Sequence, residues 1–410
     1  MMTRVSRIFL IILTIFVGAI YLPKYYWVAF EKRIAAPIVY YSPVIERFVI
    51  GHFTTNGYYY SDETGKRYTH NEMDRILPLL NYRILAARGR MPDSLLHVKI
   101  DVNQVRKNNL ILNIRPKDIF YPEIPLFPLF ESKPPRLRLK LPQEFFRITH
   151  RMEFIDSRTN QIDREMSEKY TRALKEVGFH FPAQSIFGNP TTRKPFDVGY
   201  FVVDADGEFF HIRRIRNIPR CDRVTLPEGI RVKWMGVYEK ELKEFYGVVI
   251  SEDNQVFLLM FNQYYFQKLP ISDYDPKTCS LRLMGTLFYR WVSVTSNGYQ
   301  KTYLMDRNYR LLKTYEESWK EKYQTTAGVV SKYLFPFEIS LQDKTKYVTI
   351  HFTDYRFRSL IFNGILALIV FILIIRGRKL RFRAWVDIFL VLVTGLFGFI
   401  GVLLLEHPLD

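Results

Sequence analysis

Cysteine is nearly missing from this chain: its 410 residues include only Cys221 and Cys279. That excludes a disulfide framework and a CxxC redox pair, and with no cysteine near the start it excludes a lipoprotein anchor. The two thiols either form a single bridge or stay apart as buried groups. Catalytic signatures are missing as well. His52, His70, His97, His150, His180, His211 and His351 supply no HExxH and no i,i+4 pair, and there is no G-x-S-x-G elbow and no P-loop. Asp204, Asp206 and Gly207 open like a calcium loop, but Phe, His and Arg follow where oxygen ligands belong, so a hairpin turn is expected there. Carboxylates do cluster, Glu63 with Asp74 and Glu239 with Glu241 and Glu244, but the run Tyr238–Phe245 reads as a solvated helix turn or exposed strand. The chain is therefore expected to be non-enzymatic, with no catalytic, metal or cofactor site.

Acidic residues are the scarcer charge, 41 against 59 basic ones, a net +18. What the chain does have is three long apolar runs. A membrane-spanning helix needs about 20 apolar residues. The first run, Ile8 to Phe30, ends in Tyr25, Tyr26 and Trp27, a cluster suited to the headgroup region, with Lys24 free to snorkel. The others cover 359–375 and 384–405 and are expected to form a helical hairpin. Arg4 and Arg7 precede the first run, and Arg376, Arg378, Lys379, Arg381 and Arg383 crowd the connector 376–383. The positive-inside rule puts both in the cytoplasm, so residues 31–358 and the tail 406–410 are expected outside it. Cleavage of a signal peptide near Val17, Gly18 and Ala19 is the alternative for residues 1–30. Thr394, Gly395, Gly398 and Gly401 suit close helix packing, within the chain or with a partner. Asp387 is expected to pair with the basic connector.

Between the apolar runs, 31–358 holds 51 basic and 38 acidic residues, a net +13. Arg213, Arg214, Arg216, Arg220 and Arg223 bunch there as a candidate polyanion-binding surface, with anionic envelope polymers or lipid headgroups as partners and nucleic acid excluded by location. Arg136, Arg138 and Lys140 read as the wet face of a strand carrying Leu137, Leu139 and Leu141.

Hairpin signals recur, strand-forming residues around Asp/Asn/Gly turns. The turns fall at 62–65, 107–109, 156–160, 204–207, 252–254, 306–308 and 343–345, about 47 residues apart, the length of a propeller blade. The fold expected is a membrane-anchored, β-rich (α+β) extracytoplasmic domain, either propeller-like or a mixed α+β fold on a large antiparallel sheet. A helix is predicted from the capping box Thr69–Glu72 to Gly89, kinked at Pro78, and a second over 164–177. Pro195 marks an expected boundary between an α+β portion, 31–195, and a strand-rich portion, 196–358. The many aromatics, Phe257, Phe261, Tyr264, Tyr265 and Phe266 among them, are expected mainly to fill the core.

The stretches GYYYSDETGKRYTHNEMDRILPLLNYRILAARGRMPDSL (57–96), FRITHRMEFIDSRTNQID (146–163) and FGNPTTRKPFDVGYFVVDADGEFFHI (187–212), with the flanking apolar runs, resemble a bacterial membrane family, domain-of-unknown-function family 4857. The resemblance implies an inner-membrane protein of a Gram-negative envelope, with an accessory role beside ABC transporter subunits, and carries no site residues. The expected function is a periplasmic binding or scaffold domain. The alternative is a sensor for a polyanion or glycan, and a membrane-anchored hydrolase stands further off.

Overall fold

The computed structural model describes residues 4–30, 35–55, 57–120, 124–134, 138–261, 263–342, 349–377 and 382–405. The turn at 343–345, Arg136 and Leu137, connector residues 378–381 and the tail 406–410 lie outside them. The α-helices are α1 Arg4–Phe30, α2 His70–Ile76, α3 Tyr82–Ala87, α4 Val102–Asn108, α5 Pro116–Ile119, α6 Arg164–Glu176, α7 Thr326–Leu334, α8 Leu360–Gly377, α9 Phe382–Thr394 and α10 Leu396–Leu404.

Between α1 and α7 the described residues build five antiparallel sheets of four or five strands, mostly from strands that follow one another in sequence, besides a two-stranded one at Ser94–Leu95 and Val98–Lys99. The first holds Ile38–Ser42, Arg47–Thr54, Gly57–Asp62 and Arg67–Tyr68, and the second Phe127–Pro128, Glu144–Ile148, Met152–Asp156 and Ile162–Asp163. The third holds Ser185–Phe187, Tyr200–Val203, Phe209–Ile215 and Ile218–Val224, and the fourth Val232–Val237, Phe245–Ser251, Val256–Met260 and Phe266–Lys268. The fifth runs Ser280–Gly285, Arg290–Ser296, Tyr299–Met305 and Leu311–Ser318, with Leu110–Ile114 added beside its first strand.

Successive side chains point to opposite faces of a strand, and the third, fourth and fifth sheets are apolar on both faces, each buried against a neighbouring sheet. Phe146 and Phe154 of the second meet Tyr200 and Phe210 of the third. Phe201 and Phe209 of the third meet Val249 and Phe257 of the fourth. Val248 and Leu258 of the fourth meet Leu283 and Val292 of the fifth. Met284 and Trp291 of the fifth close on Phe48 and Ile50 of the first, where the Trp291 indole donates to the Val39 carbonyl at 2.9 Å. Burying each such side chain contributes roughly 1.5–3 kcal/mol. Among the described residues no hydrophobic cluster joins the first sheet to the second. The first turns Val49 toward Met73, Ile76 and Leu77 in and after α2. The second presents Glu153, held by Arg147 at 2.8 Å and Arg151 at 2.9 Å.

Five of the anticipated turns fall where expected, at 62–65, 156–160, 204–207, 252–254 and 306–308, while the one read at 107–109 is a correction. Asp101 accepts from the Asn103 and Gln104 amides and caps α4, so residues 102–108 are helical. The single helix predicted from Thr69 is two helices, because Pro78 has no N–H to continue the ladder. The Thr69–Glu72 capping box is present. Asp204 accepts from the Asp206, Glu208 and His180 amides, which makes its segment a braced hairpin. Pro195 falls between Ser185–Phe187 and Tyr200–Val203, hydrogen-bonded strands of one sheet. Both cysteines are free thiols, Cys221 packed against the core shared by sheets two and three and Cys279 within the core shared by sheets four and five.

Among the described residues two helices are long and apolar enough to cross a membrane, Ser6–Phe30 and Phe357–Arg376. The third run is a correction: no continuous helix covers 384–405, because Gly395 adopts φ +58° and separates α9 from α10. Asp387 pairs with Arg7, whose two Nη atoms reach its oxygens at 3.2 and 3.1 Å. The segment after the fifth sheet docks on α1: Tyr26 donates to the Ala327 carbonyl at 2.8 Å, and Trp27 meets Tyr323 edge to face.

Candidate functional site

A cavity of about 630 Å³ is lined by α3, the end of α4, Ile111, Pro195 and the loop at Lys240 and Glu241. Arg83, Arg106, Lys107 and Lys240 line it against one acid, Glu241. Tyr82, Leu80, Ile84 and Ile111 add apolar wall. Arg106 spans the cavity to Glu241 as a two-pronged ion pair, 3.2 and 2.9 Å. That contact uses the one acid, so Arg83, Lys107 and Lys240 face the space with surplus positive charge.

Two buried polar networks hold these walls. Behind Pro195 and Lys240, the Lys194 ammonium lies 2.6 Å from Asp197 and 3.0 Å from Glu239, with all three side chains at most 2% exposed. Asn189 and the Val198 amide also donate to Glu239, and Ser132 donates to Asp197. Burial pushes the Glu239 carboxyl up, against the pull of Lys194. Next to Arg106 and Lys107, Asn108 accepts from Arg307 and from fully buried Arg290, which pairs with Glu244 at 2.7 Å. Tyr309 donates to the same Glu244 at 2.8 Å. The run Tyr238–Phe245 is thus corrected: Glu239 is interior, Glu244 is tied to buried Arg290, and only Glu241 is an exposed pair.

A third buried polar group lies in the third sheet. His211 Nε2 is 2.5 Å from the Val198 carbonyl, so it carries the proton, and Nδ1 accepts from the Tyr264 hydroxyl at 2.7 Å. Phe201 stacks on the ring. Full burial, helped by neighbouring Arg213, lowers its pKa to about 3 and keeps the imidazole neutral. Among the described residues no group of three His, Cys, Asp or Glu side chains is placed to hold a metal.

The arginines singled out in the sequence lie on the hairpin between Phe209–Ile215 and Ile218–Val224, away from the cavity lining. Arg213 pairs with Asp222, Arg214 lies 3.6 Å from Glu144, and Arg223 lies 2.8 Å from Glu208. Arg216 and Asn217 form the left-handed turn, both amides donating to Glu131, and Arg220 lies opposite Arg213. Most of this cluster is therefore matched by carboxylates. Of the residues read as packing positions, Gly395 faces Asn363, Gly398 faces Leu390 and Gly401 faces Ile11, while the Thr394 hydroxyl bonds back within its own helix to the Leu390 carbonyl. Arg83, Arg106, Lys107 and Lys240 were not singled out. Their signal in the sequence was two adjacent bases at the end of a helix and a base within an acidic run.

A β-rich domain of several small sheets, flanked by apolar helices, defines the class of this protein. Residues 38–305 match the family described as a domain of unknown function, DUF4857, and the chain belongs to that family. No curated protein matches it. Among solved structures it is similar, at 10% identity and a TM-score of 0.27, to one titled "Structure of Dos1 propeller", covering 70% of this chain and 63% of that one. A second, the dihydro-heme d1 dehydrogenase NirN in complex with DHE, has 10% identity, a TM-score of 0.23 and coverage of 64% and 61%. A third, a putative exported protein from Bacteroides fragilis, has 10% identity, a TM-score of 0.15 and coverage of 62% and 86%. The chain spans less than two thirds of the length of the first two.

Proposed function

We propose that this is a membrane-anchored, non-enzymatic binding protein of the bacterial inner membrane, whose domain between α1 and α8 lies on the periplasmic side and takes an anionic ligand in the cavity at Lys107 and Lys240. The five sheets act as propeller-like blades that carry the cavity walls. One observation supports the binding role above the others: three bases converge on a cavity of about 630 Å³ whose single acid is engaged by Arg106. Rigid, buried ion networks behind both walls favour a preformed site. Arg4, Arg7 and the connector bases favour the cytoplasmic side for the N-terminus.

Titration calorimetry of the full detergent-solubilised chain with inorganic pyrophosphate tests this. Binding that weakens as salt rises is the expected result. No heat at low ionic strength, or binding untouched by Lys107→Ala with Lys240→Ala, would overturn it. A scaffold role beside ABC transporter subunits belongs to the same reading, and transporter subunits should then copurify from gently solubilised membranes.

A further inference from the structure

We infer that the third apolar run does not cross the bilayer: α9 and α10 form a re-entrant hairpin that enters and leaves on the side where Arg7 lies. This rests on the membrane reading above.

Three sets of contacts fix the path. Along α10 the numbers rise as those of α1 fall. A Cβ on Gly18 would meet Phe397 at 3.3 Å, a Cβ on Gly401 would meet Ile11 and Thr14 at 3.4 and 3.6 Å, and the Leu405 carbonyl accepts from Arg7 Nε at 3.1 Å. These two helices are antiparallel. Next, α10 folds back on α9: a Cβ on Gly398 would lie 3.3 Å from the Leu390 carbonyl oxygen. In one straight helix residues eight apart are about 12 Å apart. Finally, Arg7 clamps both feet of the hairpin, holding the Asp387 carboxylate and the Leu405 carbonyl together. Length agrees. The 13 residues of α9 reach about 20 Å and the 9 of α10 about 14 Å, against the roughly 30 Å of a bilayer core.

A reversal inside hydrocarbon frees carbonyls that water cannot reach, and each must find a donor within the protein. The last regular helical bond runs from the Gly395 amide to the Val391 carbonyl at 2.7 Å, and beyond it the Leu392 carbonyl accepts from the Asn363 side-chain amide at 3.0 Å and the Val393 carbonyl from the Tyr355 hydroxyl at 3.0 Å. Asn363, a lone polar residue within apolar α8, thus seals the tip of the hairpin. Above the tip, Phe335 stacks on Phe397 with ring centres 6.0 Å apart, and Phe337 meets it edge to face at 5.4 Å, filling the space a full-length helix would occupy. Leu405 therefore lies on the side of Arg7, the reverse of what three full crossings give.

The test uses the full chain with epitope tags before Met1, in the exposed turn at 252–254 and after Asp410, exposed to protease in right-side-out and inverted membrane vesicles. The expected result is that both terminal tags are cut together in inverted vesicles and the 252–254 tag in right-side-out ones. Cutting of the last tag together with the 252–254 tag overturns the hairpin while leaving the anchor reading intact. Cutting of the first tag together with the 252–254 tag overturns the anchor reading and the hairpin with it. Gly395→Leu with Asn363→Leu should split the last tag between the two sides. Gly364→Leu, which meets nothing within 4 Å, should behave as the parent chain does.

Discussion

The hairpin at 209–224 and the wall formed by α4 with the Lys240 loop both gather bases within a few residues, yet they come to opposite ends. On the hairpin Arg213, Arg214 and Arg223 each face a carboxylate, and Glu131 takes the turn amides. In the cavity Arg106 alone faces one, and three further bases share the space with no second acid in the lining. Density of charge along a sequence is thus a poor guide to field. Field depends on what the fold sets opposite each base, and that partner is often a hundred residues away, as Glu241 is from Arg106.

The largest effect expected is on the support behind the cavity. Lys194→Met leaves Asp197 and Glu239 buried without their base, which should cost about 3–5 kcal/mol. Thermal unfolding of the solubilised chain would register it, and a loss no greater than at an exposed pair would break the contrast between the regions. Next comes the cavity itself. Lys107→Ala with Lys240→Ala should weaken pyrophosphate binding at least about tenfold, a change of about 1.4 kcal/mol. Arg220→Ala should change it less than about twofold, and equal losses would return the hairpin to candidacy.

The third prediction concerns pH. His211 has a folded pKa of about 3 against an ordinary value of 6.5, so below 6.5 the unfolded chain takes up a proton that the folded one refuses. This contribution is full well above pH 6.5 and is lost as pH falls toward 3, and between pH 7.5 and 5.5 stability should drop by about 1.4 kcal/mol from this group. His211→Gln should flatten that slope, as denaturation curves across the range would reveal. The smallest effect belongs to Arg223→Ala, whose exposed pair with Glu208 is worth at most about 1 kcal/mol. A larger loss would mean the hairpin pairs are structural.

Short-range chemistry was legible in the sequence and long-range pairing was not. Gly207 marked the turn at 204–207 because it takes the left-handed angle there, Asp306 marked the one at 306–308 because its carboxylate accepts from the Asn308 and Arg310 amides, and Thr69 with Glu72 marked a helix start. The family resemblance also held. At Lys107–Asn109 polar residues were read as a turn, although Asp101 offered the cap that makes α4. Glu239 looked solvated because nothing nearby announces that Lys194, 45 positions earlier, will meet it in the interior. The cavity was invisible for the same reason: its bases come from segments that only the finished fold unites. Gly395 was noticed as a packing residue, whereas its reversal of the chain needed the donors Asn363 and Tyr355, neither of them near it in sequence.

Leu110–Ile114 pairs with Ser280–Gly285, which emerges from the ribosome roughly 170 residues later. At about 5–20 residues per second that is a wait of about 10–30 s. Through that interval an apolar strand has two unpaired edges, the state most open to wrong pairing with another chain. Newly made protein should therefore lean on a chaperone until the fifth sheet arrives, and truncations ending before residue 280 should aggregate more readily than those ending after 320.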